Sequence, residues 1–188
     1  MTPGFNLIGA GHVGRVLGRL FARHGCFNIQ QVLTRSVASA RDGVAFIGAG
    51  DAVGRYDQLQ PAAVHVLAVG DDQIAGACAA LALAVPLAGS VVFHCSGALA
   101  SDQLRAAREA GALVASVHPI RSFADPSAVA AQFEGTFCGI EGDAGALAVL
   151  TPVLTAIGAR PVPIEPSIEV RRWVRSQMIA YARGRECA

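Results

Sequence analysis

Two histidines, a serine and a cysteine stand at the ends of two apolar runs: His94, Cys95 and Ser96 in FHCSGAL, and His118 in VASVHPIRSF. Histidine exchanges protons near neutral pH because its unperturbed pKa lies there. His118 precedes Pro119, which confines its backbone to an extended conformation. It is therefore a candidate general acid or base, with Ser96 as a hydrogen-bonding partner of a substrate or of the ring. Arg121, just beyond, is suited to pairing with a substrate carboxylate. Plainer readings stand beside these. His94 reads more readily as a hydrogen-bonded core histidine, and Cys95 as a small buried hydrophobe. Ser96 would then only start a turn with Gly97, and His118 would be a structural His-Pro corner.

A second group opens the chain. FNLIGAGHVGRVLGRLFARHG carries Gly9-x-Gly11-x-x-Gly14 directly after an apolar strand and directly before a helical pattern. In that context the glycines spell a dinucleotide site. Gly9 permits the tight turn, Gly11 admits a pyrophosphate to the backbone, and Gly14 lets helix pack on strand. The backbone of Ala10, His12 and Val13 completes the cradle at a helix N-terminus, where amides and dipole favour an anion. The competing reading is a bare glycine turn.

The second strand ends in LTRS, so Thr34, Arg35 and Ser36 stand where a carboxylate would bind the ribose hydroxyls of NAD. Arg41 follows one or two helical turns on. A guanidinium and hydroxyls suit a 2′-phosphate, so the expected cofactor is NADP. The alternative is that Arg35 is a solvated charge. Val69, Gly70 and Asp71, in AVGDD, should border the ribose and pyrophosphate by the carboxyl-end rule. Equally, they are a strand end, with Asp71 or Asp72 capping the next helix.

These groups need a scaffold that brings strand ends together, and the hydrophobic pattern supplies one. Strands are expected at Phe5 to Ile8, Ile29 to Leu33, about Ala52 to Gly54, Val64 to Val69, Val91 to His94 and Leu113 to Val117, then in TFCGIE and RPVPIE. Helices are expected over His12 to His24, Ser36 to Ile47, after Asp72, Asp102 to Ala110 and about Asp143 to Ile157. The alternation predicts an α/β three-layer Rossmann fold with a mostly parallel sheet of about eight strands. Residues 1–165 would form that domain. Residues 166–188 form a short tail with five arginines between Arg171 and Arg185.

Composition removes other classes. The chain of 188 residues is 53% hydrophobic and 15% charged with a formal charge of +1, which gives no broad basic face for nucleic acid. Five cysteines without a Cys-x-x-Cys pair argue against a disulfide framework and for a reducing cytoplasm. No histidine pairs with another ligand at helical spacing, so no metal site is expected. The uncharged run from Ile74 to Phe93 imitates a membrane span in length. Pro86 and Gly89 break it, and a helix, a turn and a buried strand explain it better.

Taken together, IGAGHVG, LTRS, HCSGAL, SVHPIRSF and GTFCGIEG resemble a bacterial Rossmann-like family of NADP oxidoreductases whose C-terminal half is catalogued as a domain of unknown function. The resemblance covers roughly Phe5 to Glu165. The wider superfamily includes pyrroline-5-carboxylate reductase, the 6-phosphogluconate and 3-hydroxyisobutyrate dehydrogenases and prephenate dehydrogenases. Its members carry a serine after the fifth strand and a catalytic histidine in a His-Pro step after the sixth. The resemblance thus implies catalytic roles for Ser96 and His118. It also implies a small-molecule substrate and a homodimer built by an all-helical C-terminal domain, most of which this sequence lacks. The expected activity is hydride transfer to or from a small carbonyl, imine or hydroxy acid. The rivals are a nucleotide-binding sensor or scaffold without turnover, and a degenerate fragment.

Overall fold

A computed structural model describes residues 2–165, and the expected arginine-rich tail lies outside the described residues. Each apolar run becomes a strand of one sheet: β1 (Gly4–Ile8), β2 (Asn28–Leu33), β3 (Asp51–Val53), β4 (Val64–Leu67), β5 (Val91–His94), β6 (Leu113–Pro119), β7 (Phe137–Gly142) and β8 (Arg160–Pro163). Their spatial order is β3-β2-β1-β4-β5-β6-β7-β8. The first six strands are parallel, β7 runs antiparallel to β6, and β8 is parallel to β7. The order reverses between β1 and β4, and ligands bind at such a switch point in open α/β sheets.

Helices α1 (His12–Arg23), α2 (Val37–Ile47), α5 (Pro126–Ala131) and α6 (Ala144–Ala156) cover one face, and α3 (Ile74–Ala84) and α4 (Arg105–Glu109) cover the other. Central strands are therefore apolar on both faces, which is why they read as unbroken hydrophobic runs. In α1 the buried stripe is Val16, Leu17, Leu20 and Phe21, while Arg19 and Arg23 stay outside. Gly25 follows the helix at φ +63°, a conformation glycine adopts without strain. Phe21 meets Phe5 and Phe27 edge-on at 5.4 and 5.2 Å, and Phe5 stacks on Phe27 at 5.1 Å.

A polar row crosses the sheet below this cluster. Gln31, Asn6 and His65 are neighbours on β2, β1 and β4. The Asn6 amide donates to the Gln60 carbonyl at 2.7 Å, and Gln31 bonds Gln58 and Gln60. The row thus ties the β3–β4 connection to the sheet. His65 is wholly buried, and burial lowers its pKa to about 4.

Several expectations need correcting. Neither Asp71 nor Asp72 caps a helix. Gly70 leads into a short 3-10 turn (Asp71–Gln73), and Gln73 begins α3 without a side-chain cap. The helix expected over Asp102 to Ala110 is a 3-10 turn (Ser101–Leu104) followed by the five residues of α4. The fourth strand ends at Leu67, because Ala68 to Gly70 bend into the cleft-side loop. Helix α5 was not expected, although Asp125 accepts from Ser127 and Ala128 with Pro126 at the first position, a legible start signal.

Candidate active site

The cleft lies at the carboxyl ends of β1, β2 and β4. Gly9 takes φ +95° there, and its amide donates to the Leu33 carbonyl at 2.8 Å. A Cβ on Gly9 would strike the Ala68 carbonyl oxygen, and one on Gly14 would strike the Gly9 carbonyl and the Ala68 side chain. A Cβ on Gly11 would meet nothing within 4 Å. Two glycines are thus required by packing, and the third leaves open space at the mouth of α1. Gly11 is the N-cap of that helix, and no side chain caps the first-turn amides of His12, Val13 and Gly14. The first turn holds no acidic residue, so these donors remain for an anion.

The cleft holds about 780 Å³, within the range of cofactor sites. The glycine loop, Thr34, Arg35, Ser39, Gly54 and Tyr56 line it, with Val69, Gly70 and the small residues Gly76, Ala77 and Ala80 of α3. Asp71 and Arg41 are exposed and outside this lining. Arg15 and Arg35 supply cations, and no carboxylate lines the cleft. Arg15 donates Nε–H and Nη2–H to the Ala10 carbonyl at 3.0 and 2.9 Å, and it lies over the Phe46 ring at 5.6 Å. Arg35 is exposed within this lining. Ser36 faces its own helix as the N-cap of α2, accepting from the Ser39 amide at 3.2 Å. Ser39 takes the place at the cleft expected for Ser36. The signal was the cap spacing, which puts Ser39 one turn in, beside the strand end.

The ends of β5 and β6 form the other half of the crevice. His94 is fully buried. Its Nε2–H donates to the Ala100 carbonyl at 2.9 Å, and its Nδ1 accepts from the Ser96 amide at 3.2 Å. Both ring nitrogens serve the loop that follows β5. Ser96 Oγ accepts from the Ala98 and Leu99 amides, each at 3.1 Å, so it shapes the turn. The half-buried His118 donates Nδ1–H to the Cys95 carbonyl at 3.4 Å. Its ring lies against Gly97, where a Cβ would approach Cε1 and Nε2 to 2.5 Å.

Arg121 turns away from a carboxylate-binding role: its Nη1 donates to the Gln132 carbonyl and to Thr136 Oγ1. Burial pushes the Cys95 thiol up and the Cys138 thiol up to about 12, so both remain protonated thiols at neutral pH. Sequence reasoning missed two contacts. His12 Nδ1–H donates to the Phe123 carbonyl at 2.6 Å, joining the glycine loop to the segment after His118. Glu141 on β7, buried at 6% exposure, accepts from Ser101.

A model of the Rossmann-like domain matches residues 4–119, the stretch that carries the glycine loop and ends at His118-Pro119. The chain belongs to the Rossmann-like domain family. Solved structures repeat its architecture. A Bacteroides fragilis protein assigned as an NADP oxidoreductase aligns with TM-score 0.78 at 17% identity, over 97% of this chain and 67% of its own. A prephenate dehydrogenase from Aquifex aeolicus, in complex with hydroxyphenyl propionate and NAD+, aligns with TM-score 0.74 at 14% identity, over 93% and 63%. An imine reductase variant from Myxococcus stipitatus, in complex with NAD+, aligns with TM-score 0.71 at 20% identity, over 98% and 63%. At these identities the likeness establishes the Rossmann-like fold. The chain spans about two thirds of the length of these structures. No curated protein matches it. Among the described residues no helix is long and apolar enough to cross a membrane.

Proposed function

We propose that this Rossmann-like domain binds NADP(H) and serves an oxidoreductase that transfers hydride to or from a small carbonyl, imine or hydroxy acid. One observation carries the reading: the switch-point cleft offers uncapped amides at the start of α1 and two guanidinium groups, with no carboxylate in its lining. That donor set fits a pyrophosphate and a 2′-phosphate. The oxidoreductases among the structural neighbours support the reaction class.

Gly9, Ala10 and Gly11, with the first-turn amides of α1, would hold the pyrophosphate. Thr34, Arg35 and Ser39 would hold the 2′-phosphate, while Ser36 shapes the helix start. Val69 and Gly70 would border the ribose. A bound nicotinamide would supply or accept the hydride. His118 would move the accompanying proton at the substrate oxygen or nitrogen, and the Ser96 hydroxyl, its lone pairs held by its own loop, would donate to the substrate. The same reading places the chain in the cytoplasm, with a small-molecule substrate and a homodimeric assembly.

A second reading has a specific support. Ser96 and Arg121 are both engaged with the chain's own groups, as suits a nucleotide sensor without turnover. Fluorescence titration with NADPH and NADH decides the first point. Wild type should prefer NADPH, and Arg35→Asp should weaken NADPH on the order of 10- to 100-fold while sparing NADH. Unchanged NADPH affinity in Arg35→Asp would overturn the NADP assignment. Reduction of carbonyl or imine acids that is lost in His118→Ala would exclude the sensor.

A further inference from the structure

The proposed function leaves one buried carboxylate without a task. Glu141 accepts from the Ser101 amide at 2.7 Å and from the Ser101 hydroxyl at 2.8 Å. Removing a carboxylate from water is costly unless such bonds replace its hydration. Here one serine supplies two of them, and what they fasten is the far end of the loop 95–101. His94 holds both ends as well, accepting from the Ser96 amide and donating to the Ala100 carbonyl. The clamps therefore come from β5 and β7, the two strands that flank β6.

His118 is on β6, and the clamped loop lies against it. His94, Ser116 and Glu141 stand in one row across the three strands, and His118 lies two residues beyond Ser116 on the same face. The loop gives His118 two things. Gly97 leaves the space its ring occupies, and the Cys95 carbonyl takes the proton on Nδ1. A ring nitrogen held as a donor fixes the tautomer, and the other nitrogen becomes the one that exchanges a proton.

We infer that Glu141 is a positioning residue for His118: by clamping Ser101 it holds the loop 95–101 where Gly97 seats the imidazole and Cys95 keeps Nδ1 protonated. This rests on the proton-transfer role proposed for His118, and its test is independent of turnover. The geometry also gives each carboxylate oxygen its own donor: Oε1 takes the Ser101 amide and Oε2 the Ser101 hydroxyl.

The test is nitrogen NMR of the His118 ring in the full chain, with signals identified by their loss in His118→Asn. NADPH titration runs beside it as a separate readout. Wild type should show one dominant tautomer with Nδ1 protonated. Glu141→Ala should give a mixture of tautomers, with NADPH affinity within about twofold of wild type because no cleft-lining residue is touched. Glu141→Gln, which keeps one acceptor oxygen, should restore most of the wild-type tautomer. Gly97→Ala should displace the ring and give the mixture with Glu141 intact. A Glu141→Ala chain that melts earlier but keeps the wild-type tautomer would overturn the inference and leave Glu141 structural. If Glu141→Ala does not fold, Ser101→Pro decides in the same way, because it removes both donors at the first position of the 3-10 turn, where proline is tolerated. Failure of wild type to bind NADPH would remove the cofactor reading while leaving the tautomer result intact.

Discussion

At the ends of β1 and β4 the crevice wall is mostly backbone. Gly9 and Gly14 are held by close packing, Gly11 is open, and the donors are main-chain amides. At the ends of β5 and β6 the wall is side chain bonded to loop: His94, Ser96, Ser101 and Glu141 fasten one another's backbone around His118. The first half, the nucleotide half of the proposed function, can be written by local spacing. The second half must hold a single imidazole, and it does so with partners far apart in the chain. Rigidity in the nucleotide half comes from sterics, whereas around His118 it comes from polar satisfaction.

That contrast can be broken most severely at Gly14. A valine there would drive its side chain into the Gly9 carbonyl and Ala68. Gly14→Val should lose NADPH binding by a factor on the order of 100 or more, equivalent to about 3 kcal/mol or more. The titration checks it, with circular dichroism to confirm that the sheet persists. Binding within a few-fold of wild type would show that the nucleotide half does not depend on close packing.

A change of comparable size tests the polar row beneath the nucleotide half. His65 has a folded pKa of about 4 against 6.5 for the ordinary group. On acidification the unfolded chain takes the proton first. The stability that neutral His65 secures is fully present above pH 6.5 and is lost as pH falls toward 4. The loss should approach about 3 kcal/mol. Denaturant midpoints between pH 7 and pH 4 measure it, and His65→Leu should flatten the curve over that window. Equal slopes in the two proteins would mean that other groups cause the acid sensitivity.

The smallest effect sharpens the comparison from outside the crevice. Arg55 pairs with Asp57 at 2.9 Å, but both side chains are largely exposed. Exposed pairs add little because water screens them. Arg55→Ala should leave both the melting midpoint and NADPH affinity unchanged. A clear shift in either would mark Arg55 as part of the cleft.

How much of this was legible follows the same division. The glycine loop was, because Gly9 and Gly14 meet in one local contact between turn and helix and Gly11 stands between them. The strands were, because both faces of a parallel sheet bury them. The reversal of β7 was not, since the pattern of a buried strand is the same in either direction. Tyr56 and the small-residue face of α3 could not be placed at the cleft, because only the β1–β4 crossover brings them there. Glu141 and Ser101 are forty positions apart, and no periodicity links them. Ser36 accepts from the Ser39 amide as a serine at a helix start does, and Ser39 lines the cleft one turn on.

The reversed strand has a consequence for how such a protein can change. Because β7 descends where β6 ascends, the chain leaves β6 beside His118 through residues 121–125 before α5 returns it to the core at Val129 and Ala130. The Phe123 carbonyl of that segment accepts from His12 of the glycine loop, which joins the segment to the nucleotide half. A loop at a rim tolerates replacement better than the sheet beneath it. Descendants of this domain can therefore exchange residues 121–125 while inheriting the glycine loop unaltered.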